Sequence, residues 1–241
     1  MCGRFVTAEN RGEVFNETRL TPPAEWVPRY NIAPSQRVLA LREDSRGKRE
    51  LAMLSWGLLP AWSHDASPSH RAFNARAETL EQKPAFKVPF HERRCLILAS
   101  GFYEWLRGSA KKRPVYFRFR EPLAFAGLWD RWEKNGAAAF DSCAIVTVVA
   151  NDVIARVSER MPAILGRAEQ ACWLDAKATH SQLHGLLQPL DPRRLEPVHV
   201  SDEVNKASND YAALLAPSAQ ALFFAPPRGE SMARERLRIT Q

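Results

Sequence analysis

The second residue of this chain is a cysteine, in the string Met1-Cys2-Gly3-Arg4-Phe5. Loss of Met1 leaves an α-amine and a thiol on one two-carbon frame, a pair that no internal residue offers. The amine titrates near ~8 and an unperturbed thiol near ~8.5, so each has a small nucleophilic fraction at neutral pH. A 1,2-aminothiol captures aldehydes. The amine condenses to a Schiff base and the neighbouring thiolate closes a five-membered thiazolidine, helped by proximity. On position alone, the ordinary reading of Cys2 is an inert terminal residue.

Three internal strings set reactive or stacking groups in polar-aromatic surroundings. Gly101-Phe102-Tyr103-Glu104-Trp105 places one carboxylate among aromatics. Desolvation there favours the protonated form and suits it to proton transfer, the alternative being a partner for a nearby arginine. Phe73-Asn74-Ala75-Arg76-Ala77-Glu78-Thr79 puts an amide and a guanidinium two residues apart, on one side if the backbone is extended. Trp56-Gly57-Leu58-Leu59-Pro60-Ala61-Trp62 reads as a rigid loop, with Trp62 the indole for base stacking and Trp56 the core residue. His180 and His184 lie four apart on a predicted helix. With neither a nearby carboxylate nor a cysteine pattern they read as surface histidines, so neither a metal nor a cofactor is expected. Walker, GxGxxG, GxSxG and HExxH patterns are absent.

These residues need elements to hold them. Residues 9–19 read as a short amphipathic helix, and Tyr30–Ser35 as an ordered loop. Arg37–Leu41 and Leu51–Trp56 read as a hairpin, and Gly57–Ser69 as an extended loop. Ala75–Gln82 and Ala85–His91 have helical character. Cys95–Ala99, Pro114–Arg120, Leu123–Trp129 and Ala144–Ala150 are strand-like, the last central in a sheet. Asn151 or Asp152 caps a predicted helix through about Glu159, ended by Pro162. Glu169–Ala178, His180–Leu187 and Asn209–Leu215 complete the helical segments. Residues 225–241 read as a loosely held basic tail after one domain spanning 1–224. The expected class is α+β, a single domain with a β-rich, barrel-like, mainly antiparallel core flanked by short helices.

Composition narrows the classes. The 241 residues are 45% hydrophobic, ordinary for a globular core. The chain has no apolar run of membrane-spanning length and no secretory pattern at its start, so a cytoplasmic protein is expected. Cys2, Cys95, Cys143 and Cys172 form no CxxC pair, and Cys95 and Cys143 sit in apolar runs as buried reduced thiols. The net charge of +7 suits a polyanionic partner, with basic clusters at Arg42–Arg49, Arg93–Arg94, Lys111–Arg113 and Arg234–Arg238.

In chain order, Cys2-Gly3-Arg4-Phe5, Tyr30-Asn31-Ile32-Ala33-Pro34, Trp56-Gly57, Asn74-Ala75-Arg76-Ala77-Glu78-Thr79, Gly101-Phe102-Tyr103-Glu104-Trp105, Ala126-Gly127-Leu128-Trp129, Arg160-Met161-Pro162 and Val204-Asn205 resemble the SRAP (SOS response-associated peptidase) family. The resemblance spans residues 2–211. It implies a barrel-like fold with a positively charged groove, and recognition of abasic sites in single-stranded DNA through a covalent link to the N-terminal cysteine. Carried over by residue, Cys2 is the nucleophile, Asn74 holds the sugar or reacting group, and Glu104 shuttles protons. Arg4, Arg76 and Arg160 suit phosphates, while Pro34 and Trp62 pack against flanking bases. The implied partner is single-stranded DNA with an abasic site, including single-strand/double-strand junctions, bound by a monomer.

The resemblance departs at one position. The family pattern His-x-Arg-Met-Pro reads Ser158-Glu159-Arg160-Met161-Pro162 here. Serine does not titrate near neutrality, so the imidazole's acid–base and phosphate-facing roles do not carry over, and the resemblance leaves open the reversal, strand incision and autopeptidase or lyase-like turnover that need it. Glu159, His64 and His70 are the candidate substitutes. Three hypotheses follow: a covalent abasic-site sensor, a thiol peptidase acting on its own first residue, and a DNA-binding module without chemistry.

Overall fold

The computed structural model describes residues 2–8, 20–44, 46–65, 67, 71–106, 113–134 and 138–218. The expected helix at 9–19 and the expected tail at 225–241 lie outside them, as do His70 and Lys111. Ten strands follow in chain order among the described residues: β1 (Phe5–Val6), β2 (Arg37–Glu43), β3 (Arg49–Trp56), β4 (Asn74–Arg76), β5 (Arg94–Trp105), β6 (Pro114–Trp132), β7 (Phe140–Val149), β8 (Arg160–Pro162), β9 (Ile164–Leu165) and β10 (Leu195–His199). Among the described residues three α-helices lie between them: α1 (Pro84–Glu92), α2 (Arg167–Leu174) and α3 (His180–Leu186).

The sheet closes on itself. Strand order runs β5-β2-β3-β7-β6, and β6 pairs again with β5, so five strands form a barrel. Closure removes the exposed edges that an open sheet would present. Only β3–β7 and β4–β7 are parallel among these pairings. The expected hairpin is present as β2 and β3, paired from Arg37↔Ser55 to Glu43↔Arg49. Its turn is held by the Asp44 carboxylate, which accepts from the backbone N–H groups of Arg46 and Lys48.

Two strands read as separate, Pro114–Arg120 and Leu123–Trp129, are one 19-residue strand with a bend. Strand β5 pairs with one half from Arg94↔Leu128 to Ala99↔Leu123 and with the other from Gly101↔Arg118 to Trp105↔Pro114. Residues 119–122 fall between the two registers, and Pro122 sits there, where no ladder donor is needed. On the other strand the register shifts between Ala99 and Gly101, which tightens the bend at this corner of the barrel. Gly101 is required at that shift: a Cβ on it would stand 2.4 Å from the Phe117 carbonyl oxygen.

Three helical expectations change. Ala75–Gln82 opens as strand β4 and continues only as a 3-10 turn, Ala77–Thr79, because β7 captures residues 74–76. The helix expected through Glu159 is a 3-10 turn, Ile154–Arg156, whose first N–H donates to Asn151 Oδ1. The Glu159 carbonyl accepts from Ala150 N–H and β8 pairs with β7, so the chain is pulled into the sheet before a helix can extend. Asn209–Leu215 is likewise a 3-10 turn, Ala212–Leu215.

Aromatic rings fill the barrel near its first strand. Phe5 meets Trp56 edge-on at 5.1 Å and Phe125 at 5.5 Å, while Phe102 stacks on Phe117 at 5.4 Å. Trp56, Cys95 and Cys143 are buried, as their sequence settings predict. A smaller cluster of Val6, Tyr103, Tyr116, Val198, Val204, Leu214 and Leu215 packs the last described segment back on β1 and β6.

Candidate active site

Strand β1 is two residues long, yet it fixes the residues before it. Phe5 pairs with Phe102, the Arg4 carbonyl accepts from Tyr103 N–H at 2.9 Å, and Phe5 bridges Ile32 on its other side. Cys2 is thereby drawn into the protein and is fully buried. Its carbonyl oxygen accepts a hydrogen bond from Asn74 Nδ2 at 2.9 Å. Burial pushes the Cys2 thiol well above its ordinary value, and Glu104 nearby pushes it the same way, against the Arg4 backbone N–H that donates to the sulfur. Cys2, Asn74 and Glu104 therefore meet in space, brought together by β1, β4 and β5.

Each partner is held from behind. Glu104 lies near the end of β5, 7% exposed, paired through its backbone with Val115. Asn74 is on β4, and the preceding Phe73 carbonyl accepts from Trp56 Nε1 at 2.9 Å. The Asn74 Oδ1 atom is buried with no hydrogen-bond partner among the described residues. A buried acceptor left unmatched is costly, and it marks a place where a hydroxyl or N–H donor can bind.

The arginines divide. Arg76 is exposed beside Asn74 at the end of β4. Arg4 turns inward: its Nη1 donates to Asn31 Oδ1 and to the Val204 carbonyl, both at 2.7 Å, and its guanidinium lies 5.8 Å from the Trp105 ring centre. Arg160 forms a two-pronged ion pair with Glu78 at 2.7 and 3.0 Å and also donates to the Thr147 carbonyl. It thus spans from β8 across β7 to the turn following β4. Glu78 is held below the usual carboxylate range chiefly by that hydrogen-bonded arginine. Ser158 is buried, and its hydroxyl donates to the Arg160 carbonyl at 2.8 Å. Glu159 and His64 are exposed.

Sequence reasoning named no role for Asn31. Its amide bonds the Val204, Lys206 and Asn209 carbonyls, and Asp210 accepts from the Tyr30 and Asn31 N–H groups and from Arg29. With Trp105 Nε1 donating to Asn205 Oδ1 at 2.6 Å, this clamp ties residues 202–210 to the Cys2 side of the barrel. The signal was the side-chain amide inside Tyr30–Pro34; the carbonyls that its Nδ2 bonds lie more than 170 residues away.

Pro34 occupies the second position of a tight turn from Ala33 to Gln36, with Ser35 at φ +74°. That is type II geometry, in which proline presets the backbone. Trp62 is 62% exposed although its loop is pinned on both sides. Ala61 N–H donates to Asp130 Oδ2 at 2.9 Å and Trp132 Nε1 donates to the Ser63 carbonyl at 3.0 Å. Gly57 opens this loop at φ +140°, where a Cβ would stand 2.9 Å from the Phe73 ring. A pinned backbone thus presents an exposed indole.

The architecture and the sequence both have relatives. A crystal structure of a Bacteroides thetaiotaomicron protein superposes with a TM-score of 0.81 over 90% of this chain and all of that one, at 22% identity, which shows a shared fold. A Bordetella bronchiseptica crystal structure gives a TM-score of 0.72 at 26% identity, covering 83% of this chain and all of the other. By sequence the chain is 37% identical to abasic site processing protein YoaM of Bacillus subtilis, across 89% of this chain and 97% of that protein. It is 32% identical to mouse abasic site processing protein HMCES, across 81% of this chain and 67% of that one. The family model described as SOS response associated peptidase (SRAP) matches residues 1–207, and the chain belongs to that family.

Proposed function

We propose that this protein recognises abasic sites in single-stranded DNA and captures them as a thiazolidine on Cys2 once Met1 has been removed. The observation that carries the reading is the meeting of a buried Cys2 with Glu104 and Asn74 on a closed barrel. Relatives across most of the chain's length, named as abasic site processing proteins, support the same substrate class.

An open-chain abasic deoxyribose carries a C1′ aldehyde. The Cys2 amine adds to it, giving a carbinolamine; Glu104 donates a proton to the departing hydroxyl, and water leaves as the C=N bond forms. The thiol then adds to the carbon of this protonated imine, its proton passing to the ionised Glu104 carboxylate, and the nitrogen keeps its own N–H in the neutral five-membered ring. A thiol pushed up by burial is poorly ionised alone, so a carboxylate beside it has a task. Asn74 anchors the Cys2 backbone through Nδ2 and leaves Oδ1 for a sugar hydroxyl. Exposed Arg76 supplies a phosphate contact and Trp62 a face for a flanking base.

Ser158 stands where the family pattern has a histidine, and a hydroxyl that donates to the Arg160 carbonyl at 2.8 Å supplies no second titrating acid. Reopening of the ring then falls to Glu104, which returns to the sulfur the proton it took on closure. The test is a denaturing gel with single-stranded DNA bearing one abasic site. A heat-stable shifted band is expected with the natural chain and not with Cys2→Ala. Noncovalent binding without any shifted band, from a protein whose first residue is Cys2, would instead make it a binding module.

A further inference from the structure

Away from Cys2, three segments distant in sequence bring imidazoles around one carboxylate. Glu81 lies just beyond the turn that follows β4, His91 in the last turn of α1, and His180 and His184 one turn apart on α3. The donor atoms of Glu81, His91 and His180 all lie within 4.8 Å of one another. His180 Nδ1 is 3.3 Å from Glu81 Oε1, and His184 Nε2 is 3.3 Å from Glu81 Oε2.

The surroundings hold these groups in place. A capping box between Thr179 and Gln182 fixes the first turn of α3, so His180 and His184 share a face. The Phe90 ring backs His184 at 5.1 Å, and the His91 and His180 rings lie 4.3 Å apart at 36°. The side chains of Glu81, His180 and His184 are exposed enough for an ion to enter.

We propose that Glu81, His91 and His180 form a binding site for a divalent transition-metal ion of the zinc type. Two imidazole nitrogens and one carboxylate oxygen are a donor set that zinc takes, with water completing four-coordination. Ligands at ~2.0–2.1 Å in a tetrahedron stand roughly 3.3 Å from each other, the separation between Glu81 Oε1 and His180 Nδ1. His184 takes the orienting role: it holds the second carboxylate oxygen and so aims the first. The bound ion clips α1 and α3 to the turn beyond β4, the strand that carries Asn74 and Arg76. The site stands independently of the abasic-site reading, since none of its residues belongs to the Cys2 centre.

The experiment is calorimetric titration of Zn²⁺ into the metal-stripped full-length chain carrying Cys2→Ala, so that a terminal aminothiol cannot compete. One equivalent is expected to bind. His91→Ala or His180→Ala should weaken it about a hundredfold and His184→Ala about tenfold, while His64→Ala changes nothing. Co²⁺ loaded into the same chain should give a visible spectrum of nitrogen and oxygen ligation without thiolate charge transfer. Failure to bind one equivalent, affinity unchanged by both His91→Ala and His180→Ala, or a thiolate band from Cys172 would each overturn the site and leave the four residues as an ion-pair cluster.

Discussion

Asn74 shows how much one side chain can do in this molecule. Its Nδ2 holds the Cys2 carbonyl at 2.9 Å, while its Oδ1 is buried without a partner among the described residues. Replacing it by alanine removes the anchor for the reacting residue and the acceptor offered to the sugar. Losing one such buried hydrogen bond is worth about 1–3 kcal/mol, so Asn74→Ala is expected to slow cross-linking about tenfold or more. Quench-gel kinetics on an abasic oligonucleotide measure this, with the thermal midpoint as control. An unchanged rate would take Asn74 out of the site. The arginines make the opposite point. Arg4 and Arg160 share a residue type with exposed Arg76, but their guanidinium groups bond Asn31, Val204, Glu78 and Thr147. Those bonds join chain segments around Cys2 and β4.

At the scale of elements, the bend where β5 meets β6 sets where Glu104 falls. Gly101 stands at the register shift, with the Phe117 carbonyl and the Tyr116 ring where a Cβ would go. Gly101→Ala must push β6 away. Overpacking of this kind costs about 1–3 kcal/mol, to be read from the urea midpoint, and a neutral result would mean the corner is loose. The candidate residues that the structure brings together were legible in short strings because chemistry restricts residue type: an aminothiol at position 2, an amide and a carboxylate among aromatics. The hairpin and the apolar strands were legible from their alternation and punctuation. The single bent β6 was not, because Glu121-Pro122 resembles a strand end until β5 is known to pair with both halves. Nor was the 3-10 turn after Asn151, since pairing by β8 overrides local helical propensity. The grouping of Glu81, His91 and His180 joins residues up to 99 positions apart, and spacing alone carries no trace of it.

For the molecule as a whole, the count of 34 lysines and arginines overstates the free positive surface. Arg42 pairs with Glu50 and Asp141 and lies over the Trp129 ring, and Arg93 pairs with Asp130. Arg94 is buried, donating to the carbonyls of Phe90, His91, Trp173 and Asp175. Much of the basic composition is therefore architecture. Global stability also has an alkaline limit. Burial raises the Cys95 and Cys143 thiols above their ordinary value. Above pH ~8.5 the unfolded chain ionises these thiols while the folded chain keeps their protons, so stability falls as pH rises. Each contributes about 1.4 kcal/mol of loss per pH unit there. Urea unfolding at pH 8 and pH 10 measures the slope, which Cys95→Ala should reduce; a slope independent of that substitution would contradict the assignment.

The most direct test of the central claim is mass spectrometry of the purified adduct after nuclease and trypsin digestion. Cleavage after Arg4 releases the peptide Cys2-Gly3-Arg4. The account predicts that this peptide, without Met1, carries the deoxyribose remnant less one water, with both the amine and the thiol blocked to alkylation. A remnant on any lysine, or on Cys2 with its thiol still free to alkylate, would contradict it.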